Sequence, residues 1–267
     1  MPATVTSISI APVKGMRMQA LTEAEVTVDG VSGDRCFFLV DADAAMISAT
    51  RLGPLLSIMP AFDAGNGRLE LHFPDGETVG GEFESGPPEP VTFYGQPLQA
   101  QTLGGDYSAA ISSHCGVELK LMERAPERPA TDRGQYGAVT IIGSGSLERL
   151  AKAAAEGGEP GPVDERRFRM TFTIDGLEAH EEDSWPGERV EVGSAMLEAR
   201  NMVGRCAATT RDPDQGVVDL KTLHHIGSYR RDIESDEPLP FGIYASVSKP
   251  GLVRIGDVAR PAGKLAS

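Results

Sequence analysis

Residues 168–174 carry the sequence FRMTFTI, in which apolar and polar side chains alternate with a period of two. This period predicts a β-strand, because successive side chains of a strand point to opposite faces. One face would be apolar, and the other would carry Arg167, Arg169, Thr171 and Thr173. A guanidinium offers a planar fork to phosphate or carboxylate, so the polar face is a candidate site for an anionic ligand. The alternative is a half-solvated strand with ordinary surface arginines.

Short alternating or apolar segments bounded by Gly and Pro continue on both sides of this motif. They predict further strands over 5–10, 25–28, 36–40, 68–73, 77–83, 91–94, 96–103, 118–122, 137–142, 189–191, 195–199, 241–247 and 252–255. The pair 68–73 and 77–83 would form a hairpin, and the last two strands a closing hairpin over Pro250 and Gly251. Helices are predicted over 106–115, with Asp106 as N-cap and Gly116 past the end, and over 146–156 and 219–229. Many short strands with few short helices indicate a mainly β (α+β) fold with barrel-like sheets.

Length and charge limit the classes of function. The chain has 267 residues, enough for one large domain or two small ones. Its 39 acidic and 25 basic residues give a net charge of −14. This charge argues against a general nucleic-acid binder or a protein of anionic membrane surfaces, because both need a basic footprint. The polar segment 123–135, with two prolines, predicts a boundary between two halves.

The cysteines and the N-terminus indicate an intracellular protein. Cys36, Cys115 and Cys206 are widely spaced and form neither a disulfide framework nor a zinc motif. The N-terminal residues lack the charged start and apolar run of a signal peptide, and no segment has the apolar length of a membrane span. We therefore predict a cytoplasmic protein without membrane partners. Its negative charge could present an acidic face to a basic redox partner.

Cys206 is the main candidate for metal chemistry. It follows Arg205 in the segment 204–210, GRCAATT. A neighbouring cation favours the thiolate, which is both nucleophile and ligand for soft metals. No His or Asp stands at a spacing typical of a cysteine protease. The alternative is a small buried thiol, a common role of free cysteine.

Three glycine-containing segments could hold an anion. Lys14-Gly15 and Asp34-Arg35 each place a cation beside a glycine turn, and 143–146 (GSGS) joins a strand to a helix start. The alternatives are a solvated lysine, a surface ion pair and a plain helix N-cap. The acidic run 180–183 could hold a hard cation, although such runs are usually solvated turns. Residues 212–216 resemble a calcium loop only superficially and predict a turn.

These motifs occur in an order that resembles one known family. They are PVKG (12–15), GDR (33–35), RFRM (167–170) with TIDG (173–176), EEDSW (181–185), GRCAATTRDPDQG (204–216), FGIY (241–244) and IGD (255–257). The order is similar to that of the MOSC family, named for the C-terminal domain of molybdenum-cofactor sulfurases, with its N-terminal β-barrel domain. Within the family it resembles proteins of the amidoxime-reducing type. The resemblance covers about residues 1–260 and implies an N-terminal β-barrel domain over 1–125 and a MOSC β-barrel domain over 126–267.

The resemblance also implies a molybdenum cofactor of the pterin type between the two domains. Cys206 would ligate the metal, Lys14 and Arg35 would hold the pterin phosphate, and Arg169 and Thr171 would face the reaction site. Two departures stand out, since Gly15 replaces a serine of many relatives and Thr171 replaces an asparagine. The second departure bears on substrate choice. The cofactor-binding set that the resemblance implies is Lys14, Gly15, Arg35, Ser144, Ser146, Arg169, Arg205 and Cys206, and the catalytic set is Cys206, Arg169 and Thr171.

The implied activity is that of a molybdenum-dependent oxidoreductase, independent of pyridoxal phosphate. It would reduce small N-hydroxylated compounds by oxygen-atom abstraction at the metal. No cysteine follows Cys206 to hold an iron–sulfur cluster, so the resemblance implies a separate electron-transfer protein, either a ferredoxin or flavin reductase or a cytochrome b5-like protein. Two alternatives stay open. One is a cofactor carrier or sulfur-handling protein that uses Cys206 without reductase turnover, and the other is a cofactor-free binding barrel.

Overall fold

The structure, a computed structural model, describes residues 2–124 and 134–265, called here the first and second halves. Strands dominate both halves, which confirms the mainly β fold. The first half contains β1 Thr4–Ile10, β2 Gln19–Leu21, β3 Glu23–Thr27, β4 Gly30–Val31, β5 Phe37–Val40, β6 Met46–Ile47, β7 Met59–Asp63, β8 Arg68–His72, β9 Thr78–Glu82, β10 Ser85–Phe93, β11 Gln96–Leu103, helix α1 Tyr107–Cys115 and β12 Lys120–Arg124. The second half contains β13 Val139–Gly143, α2 Ser144–Glu156, β14 Phe172–Asp175, β15 Glu188–Val192, β16 Ala195–Gly204, α3 Thr222–Arg230, β17 Pro240–Lys249, β18 Gly251–Arg254 and β19 Ala259–Lys264.

The largest sheet draws strands from both halves. Its eight strands run in the order β19-β15-β16-β17-β13-β14-β1-β2. β1 is antiparallel to β14, whereas β13 and β14 are parallel. The other sheets have the orders β10-β11-β12-β5-β6, β18-β3-β4 and β7-β8-β9. Much of the predicted boundary segment, residues 125–133, lies outside the described residues, and the division at 125/126 stays a prediction.

The chain after β1 connects the two main sheets. Beyond Ile10 it leaves the eight-stranded sheet and pairs with the residues that lead into β5. Phe37 donates its N–H to the carbonyl of Pro12 at 2.9 Å, and Lys14 donates its N–H to the carbonyl of Phe37 at 2.8 Å. Arg35 donates its N–H to the carbonyl of Ala11 at 2.9 Å. These bonds hold the two predicted basic motifs of the first half side by side.

Local sequence signals predict several elements correctly. β8 and β9 form the predicted antiparallel hairpin, and β10 and β11 form another around Tyr94 and Gly95. Helix α1 ends at Gly116 in the left-handed region, where φ is 70° and the cap N–H bonds to the carbonyl of Ser112. Asp106 stands at the N-cap without a side-chain hydrogen bond. Helix α2 begins two residues before the prediction, and α3 spans 222–230 rather than 219–229.

The predicted closing hairpin is wrong. β17 lies between β16 and β13, while β18 leaves that sheet and pairs antiparallel with β3. A Cβ on Gly251, the first residue of β18, would lie 2.5 Å from the backbone N of Ala195. This close backbone approach lets the chain change sheets directly after β17, and only glycine fits it.

The 168–174 motif is a strand only in its second part. Residues 165–168 form a 3₁₀ turn, and β14 begins at Phe172. Arg169 ends the turn with φ of 54°, a left-handed conformation that a strand cannot contain. Phe172, Thr173 and Ile174 are all buried. The half-solvated strand is therefore wrong, because β14 lies inside the sheet with both faces covered.

Candidate active site

An open cleft lies where the two halves meet. Most of the residues implied as cofactor-binding line it. They come from the end of β1, the turn before β5, the turn before β14 and the end of β16. The described residues that line the cleft include Lys14, Gly15, Arg35, Arg169, Arg205 and Cys206.

Cys206 presents its thiol to this cleft. The residue follows β16 in extended conformation, with φ of −119° and ψ of 175°, and begins the 3₁₀ turn Ala207–Thr210. Its carbonyl accepts bonds from the N–H and the hydroxyl of Thr209, at 3.1 and 3.0 Å. The thiol sulfur lies 3.8 Å from the hydroxyl oxygen of Thr50 in the first half. Cys206 is exposed, so the alternative of a buried structural thiol is wrong.

The other two cysteines differ in environment. Burial raises the pKa of the Cys36 thiol from 9.0 to about 11, and burial likewise raises the pKa of Cys115 to about 11. Both pack against the apolar core of the first half. A thiol with so high a pKa is a poor metal ligand or nucleophile at neutral pH. Of the three thiols, Cys206 is therefore exposed to reagents and metals, whereas Cys36 and Cys115 are expected to react slowly.

Arg205 lines the cleft, but its guanidinium is directed into the protein. Nε donates to the carbonyl of Phe241 at 2.8 Å, and Nη1 donates to the carbonyl of Phe168 at 3.0 Å. Its Cζ lies 5.2 Å from the centre of the Phe168 ring. Burial lowers the pKa of Arg205 to about 10, so it stays a cation at neutral pH. These contacts identify Arg205 as a positioning residue, which fixes the segment before Cys206 against β17.

Arg35 and Arg169 also line the cleft. Arg35 makes an ion pair with the buried carboxylate of Asp34, and its Nη2 donates to the carbonyl of Arg169 at 3.4 Å. Nη1 of Arg169 donates to the carbonyl of Met16 at 2.6 Å. Both arginines have left-handed backbones, with φ of 49° and 54°. The left-handed backbone conformation is strained for residues other than glycine, so the surrounding fold must offset its cost. Such residues are found most often at functional sites.

Lys14 and Gly15 complete the basic part of the cleft. Nζ of Lys14 lies 5.1 Å from the ring centre of Tyr94, which is 63% exposed and also has a left-handed backbone. Gly15 has φ of 91°, and a Cβ there would lie 3.2 Å from the backbone N of Ala49. A serine at position 15 would thus strain the backbone and crowd Ala49. The departure from the family pattern fits this local conformation.

Thr171 lies one layer behind the cleft. It is buried, and its hydroxyl oxygen lies 3.2 Å from the hydroxyl oxygen of Thr140. The N–H of Thr140 donates to Oγ1 of Thr171 at 3.1 Å, and the N–H of Thr171 donates to Oγ1 of Thr140 at 2.9 Å. Thr140, rather than Thr171, lines the cleft. The predicted direct catalytic role of Thr171 does not fit this geometry, because its hydroxyl contacts Thr140 rather than the cleft.

Ser144 and Ser146 do not lie at the cleft. Ser144 donates its hydroxyl to Asp175 at 2.6 Å, and the buried Ser146 donates to Oε1 of Glu182 at 2.7 Å. The same Glu182 oxygen accepts the N–H of Gly143 at 3.1 Å, so it satisfies the start of α2. Both serines have structural partners at the opposite end of β13 from Thr140. The predicted cofactor-contacting role of Ser144 and Ser146 therefore does not fit the structure.

The charge balance of the cleft is opposite to that of the chain. Four cations and two carboxylates line it, a net of +2 among the described residues, in a chain of net −14. An excess of positive charge in a cleft attracts an anion, because it raises the local potential. Sequence reasoning missed the aromatic and acidic part of the lining, for which the sequence shows no distinguishing signal. That part comprises Asp29, Tyr94, Phe168 and Tyr244.

The acidic run 180–183 is only partly solvated, because Glu181 is exposed whereas His180 and Asp183 are half-buried. Glu182 is fully buried, and ligand atoms of His180, Glu182 and Asp183 lie within 4.8 Å of one another. Burial raises the pKa of both carboxyls, and burial lowers the pKa of His180 to about 4. Arg230 pairs with Asp183 at 2.5 Å, and Arg149 also contributes positive charge beside His180. Two guanidinium groups balance two carboxylates, so the cluster carries no excess negative charge for a cation.

Two further motifs are structural. Arg167 is buried and forms a two-pronged ion pair with Asp219, at 2.7 and 2.6 Å. Oδ1 of Asp212 accepts the N–H groups of Asp214 and Gln215, which confirms the predicted turn. The carboxylate of Asp214 then binds Arg166. These charges hold the loop after Cys206 in place and are not directed at the cleft.

The residues of the cleft fit a molybdenum–pterin group. An exposed thiol suits a soft transition metal, and excess positive charge suits a phosphate on the same molecule. Fold and site thus define a class of protein: a mainly β chain that presents one cysteine thiol in a basic cleft between its halves.

Within that class, the chain belongs to the MOSC family. The MOSC domain matches residues 130–260, and the MOSC N-terminal beta barrel domain matches residues 2–117. It is similar to mitochondrial amidoxime reducing component 2 of Homo sapiens, at 26% identity over 95% of this chain and 82% of the relative. Component 1 of Xenopus laevis is 25% identical over 95% of this chain and 80% of the relative. A solved structure of the YUAD protein from Bacillus subtilis covers 97% of this chain and 94% of its own at 12% identity, with a TM-score of 0.47.

These similarities connect the chain to molybdenum-cofactor-related function. None of the helices in the described ranges has both the length and the apolar character needed to cross a membrane.

Proposed function

We propose that this chain is a molybdenum-cofactor-dependent oxidoreductase that reduces small N-oxygenated compounds, N-hydroxylated compounds among them. The observation that carries the proposal is the exposed thiol of Cys206 in a cleft of net positive charge. Similarity to amidoxime-reducing components along 95% of the chain supports the choice of substrate class. A cytoplasmic location is part of the same proposal.

The chain would hold the cofactor at both ends. Cys206 would ligate the metal as a thiolate, and Arg205 would keep the ligand in place from behind. Lys14, Arg35 and Arg169 would bind the phosphate, since charge-assisted hydrogen bonds to phosphate are among the strongest in proteins.

When bound, the cofactor supplies the two-electron chemistry that cleaves the N–O bond. Each turnover takes up two electrons and two protons and releases water and the reduced nitrogen compound. The open mouth of the cleft gives a small substrate and protons access to the site. The Thr140–Thr171 pair would orient the wall next to the substrate, so the asparagine-to-threonine departure would act through Thr140. The electrons would come from a separate protein.

The test begins with metal analysis of protein from a host that makes the cofactor. We expect about one molybdenum per chain in the wild type and in Cys115→Ala, a matched thiol control, and a strong loss in Cys206→Ala. Loaded wild type should then reduce N-hydroxylated compounds with a chemical electron donor. Absence of molybdenum, in a host that loads other molybdenum enzymes, would overturn the proposal. Sulfane sulfur on Cys206 without turnover would instead support the sulfur-handling alternative.

A further inference from the structure

A second, smaller pocket adjoins the cleft. The two share Ala49, Arg169 and Ala208, while Leu56 of the first half and Pro213 of the second half line only the smaller pocket. Its walls therefore come from both halves of the chain. It has room for a single ion or molecule of about the size of water, so the phosphate expected in the cleft does not fit there.

Guanidinium groups supply all the charge of this smaller pocket. Among the described residues, four arginines line it and no carboxylate does. The chain as a whole has 39 acidic and 25 basic residues, so the pocket departs strongly from the overall charge. The arginines are Arg166, Arg167, Arg169 and Arg211, and the site is called here the arginine pocket.

Arg211 brings an unbalanced positive charge to the arginine pocket. Its Nη1 donates to the carbonyl of Gly216 at 2.7 Å, and its Nη2 donates to the carbonyl of Thr50 at 3.3 Å. Both acceptors are neutral, and Arg211 forms no ion pair with any other residue that the structure describes. The aspartates that pair with Arg166 and Arg167 are already engaged there. A half-buried charge of this kind is stabilised by a counter-ion.

Arg167 gives a second, independent sign of an occupant. Its side chain is only 8% exposed. The two terminal nitrogens bind Asp219, and Nη1 also donates to the carbonyl of Arg211 at 2.8 Å. Nε is buried and has no acceptor within residues 2–124 and 134–265. A buried donor without an acceptor is costly, and since Arg167 lines the pocket, an occupant can supply the acceptor. Water would satisfy this donor but leave the charge of Arg211 unbalanced, whereas an anion does both.

We propose that the arginine pocket binds a chloride ion or another halide. A halide is negatively charged, matches the small space and accepts hydrogen bonds from any direction, and guanidinium groups are strong donors to anions. The ion accepts the Nε–H of Arg167 and balances the charge of Arg211. Because Ala49 and Leu56 belong to the first half, the bound ion also joins the two halves beside the cleft. The proposal is independent of the proposed function, since it requires neither a metal nor turnover.

The binding test follows the Nε–Hε resonance of Arg167 by NMR in the ¹⁵N-labelled, full-length chain. Sodium chloride replaces sodium gluconate step by step at constant ionic strength, because gluconate is too large for the pocket. We expect a shift of the Arg167 resonance that saturates with chloride. A resonance that does not respond to chloride would overturn the proposal and would fit water as the occupant. The titration is repeated with the cofactor-loaded chain, in which the response should persist. Its loss there would assign the pocket to the phosphate of the cofactor and also overturn the proposal.

Three variants locate the ion. Arg211→Met removes the unbalanced charge, Arg189→Met removes the same charge from an exposed position on β15, and Lys14→Gln removes a charge from the cleft. We expect the dissociation constant of chloride to rise about tenfold or more in Arg211→Met and to stay within about twofold in the other two. Equal weakening in Arg211→Met and Arg189→Met would reveal a general charge effect and overturn the proposal. A response lost in Lys14→Gln would place the ion in the cleft, with the same consequence.

Discussion

Alkylation of the three cysteines by iodoacetamide provides a direct test of the site. The reagent reacts with thiolates, so both the pKa and the access of each thiol set its rate. Cys206 is exposed in the cleft, whereas Cys36 and Cys115 are half-buried beside the core of the first half. Burial raises the pKa of the latter two from 9.0 to about 11.

The expected selectivity follows from these pKa values. A rise of two units lowers the thiolate fraction near pH 8 about a hundredfold. We therefore expect Cys36 and Cys115 in the folded, cofactor-free protein to react about a hundredfold more slowly than free cysteine, and more slowly still where packing blocks the reagent. Cys206 should be the first site modified. In denaturant all three should react at similar rates, which controls for peptide detection.

Loading with the cofactor should narrow this difference in rate. If Cys206 ligates molybdenum, its thiolate is no longer available, and its alkylation should slow about tenfold or more while the slow rates of Cys36 and Cys115 stay the same. Peptide mapping by mass spectrometry over a time course measures all three rates in one sample. Equal rates for Cys206 in loaded and cofactor-free protein would refute ligation by this residue. Fast labelling of Cys36 or Cys115 in the folded chain would refute the account of their burial.

Four further variants test the supporting structure. Arg205→Met leaves two buried carbonyls without their donor, so we expect a loss of about 2–3 kcal/mol in urea unfolding and reduced molybdenum content; full metal content would contradict a positioning role. Thr171→Val removes the hydroxyl pair with Thr140 and should lower the free energy of unfolding by about 1–2 kcal/mol. We expect the molybdenum content to stay unchanged and the substrate preference to change, which a comparison of kcat/KM for several N-hydroxylated compounds measures. Asp219→Ala leaves a buried guanidinium uncompensated and should cost about 3 kcal/mol in thermal or urea unfolding; an effect under about 1 kcal/mol would refute this. The pKa of His180 is lowered to about 4 by burial, so the unfolded chain binds its proton more readily. The contribution of neutral His180 to the free energy of unfolding is complete above about pH 6.5 and is lost as the pH falls toward 4. It amounts to about 2 kcal/mol after allowance for the partial exposure of the ring. In His180→Gln, the urea midpoint of unfolding should therefore depend less on pH over that range.

Local patterns were sufficient for the hairpins and helices of the fold. The β8–β9 and β10–β11 pairs and the end of α1 at Gly116 follow from alternation and turn residues within a few positions. The pairing of β18 with β3 could not be predicted in this way. It joins segments from opposite ends of the chain, and the close backbone approach at Gly251 that accompanies it has no signal in the local pattern.

The site shows the same limit of local reasoning. Lys14 and Arg35 each have an ordinary surface interpretation in the sequence, and Cys206 has that of a small buried thiol. The motif order, not their spacing, suggested that the three residues share a cleft. The sequence analysis placed Thr171 at the reaction site, whereas the structure places Thr140 there, with Thr171 behind it in contact with the Thr140 hydroxyl. The sequence likewise does not show which charges are buried. The run 180–183 predicts a solvated turn, whereas in the structure Glu182 is buried and Asp183 pairs with Arg230.

The membership of β1 in the sheet of the second half has a consequence for how the chain acquires its structure during synthesis. The hydroxyl of Thr6 donates to the carbonyl of Thr173, 167 residues later. β1 can pair with β2 early, but its other edge meets β14 only after about two thirds of the chain has been made, and such distant contacts slow folding. At about 5–20 residues per second, the edge of β1 that pairs with β14 would stay unpaired for roughly ten to thirty seconds. During that interval its apolar face, with Val5, Ile8 and Ile10, is a substrate for chaperones. The cleft, which depends on the continuation of β1, is among the last features of the molecule to form.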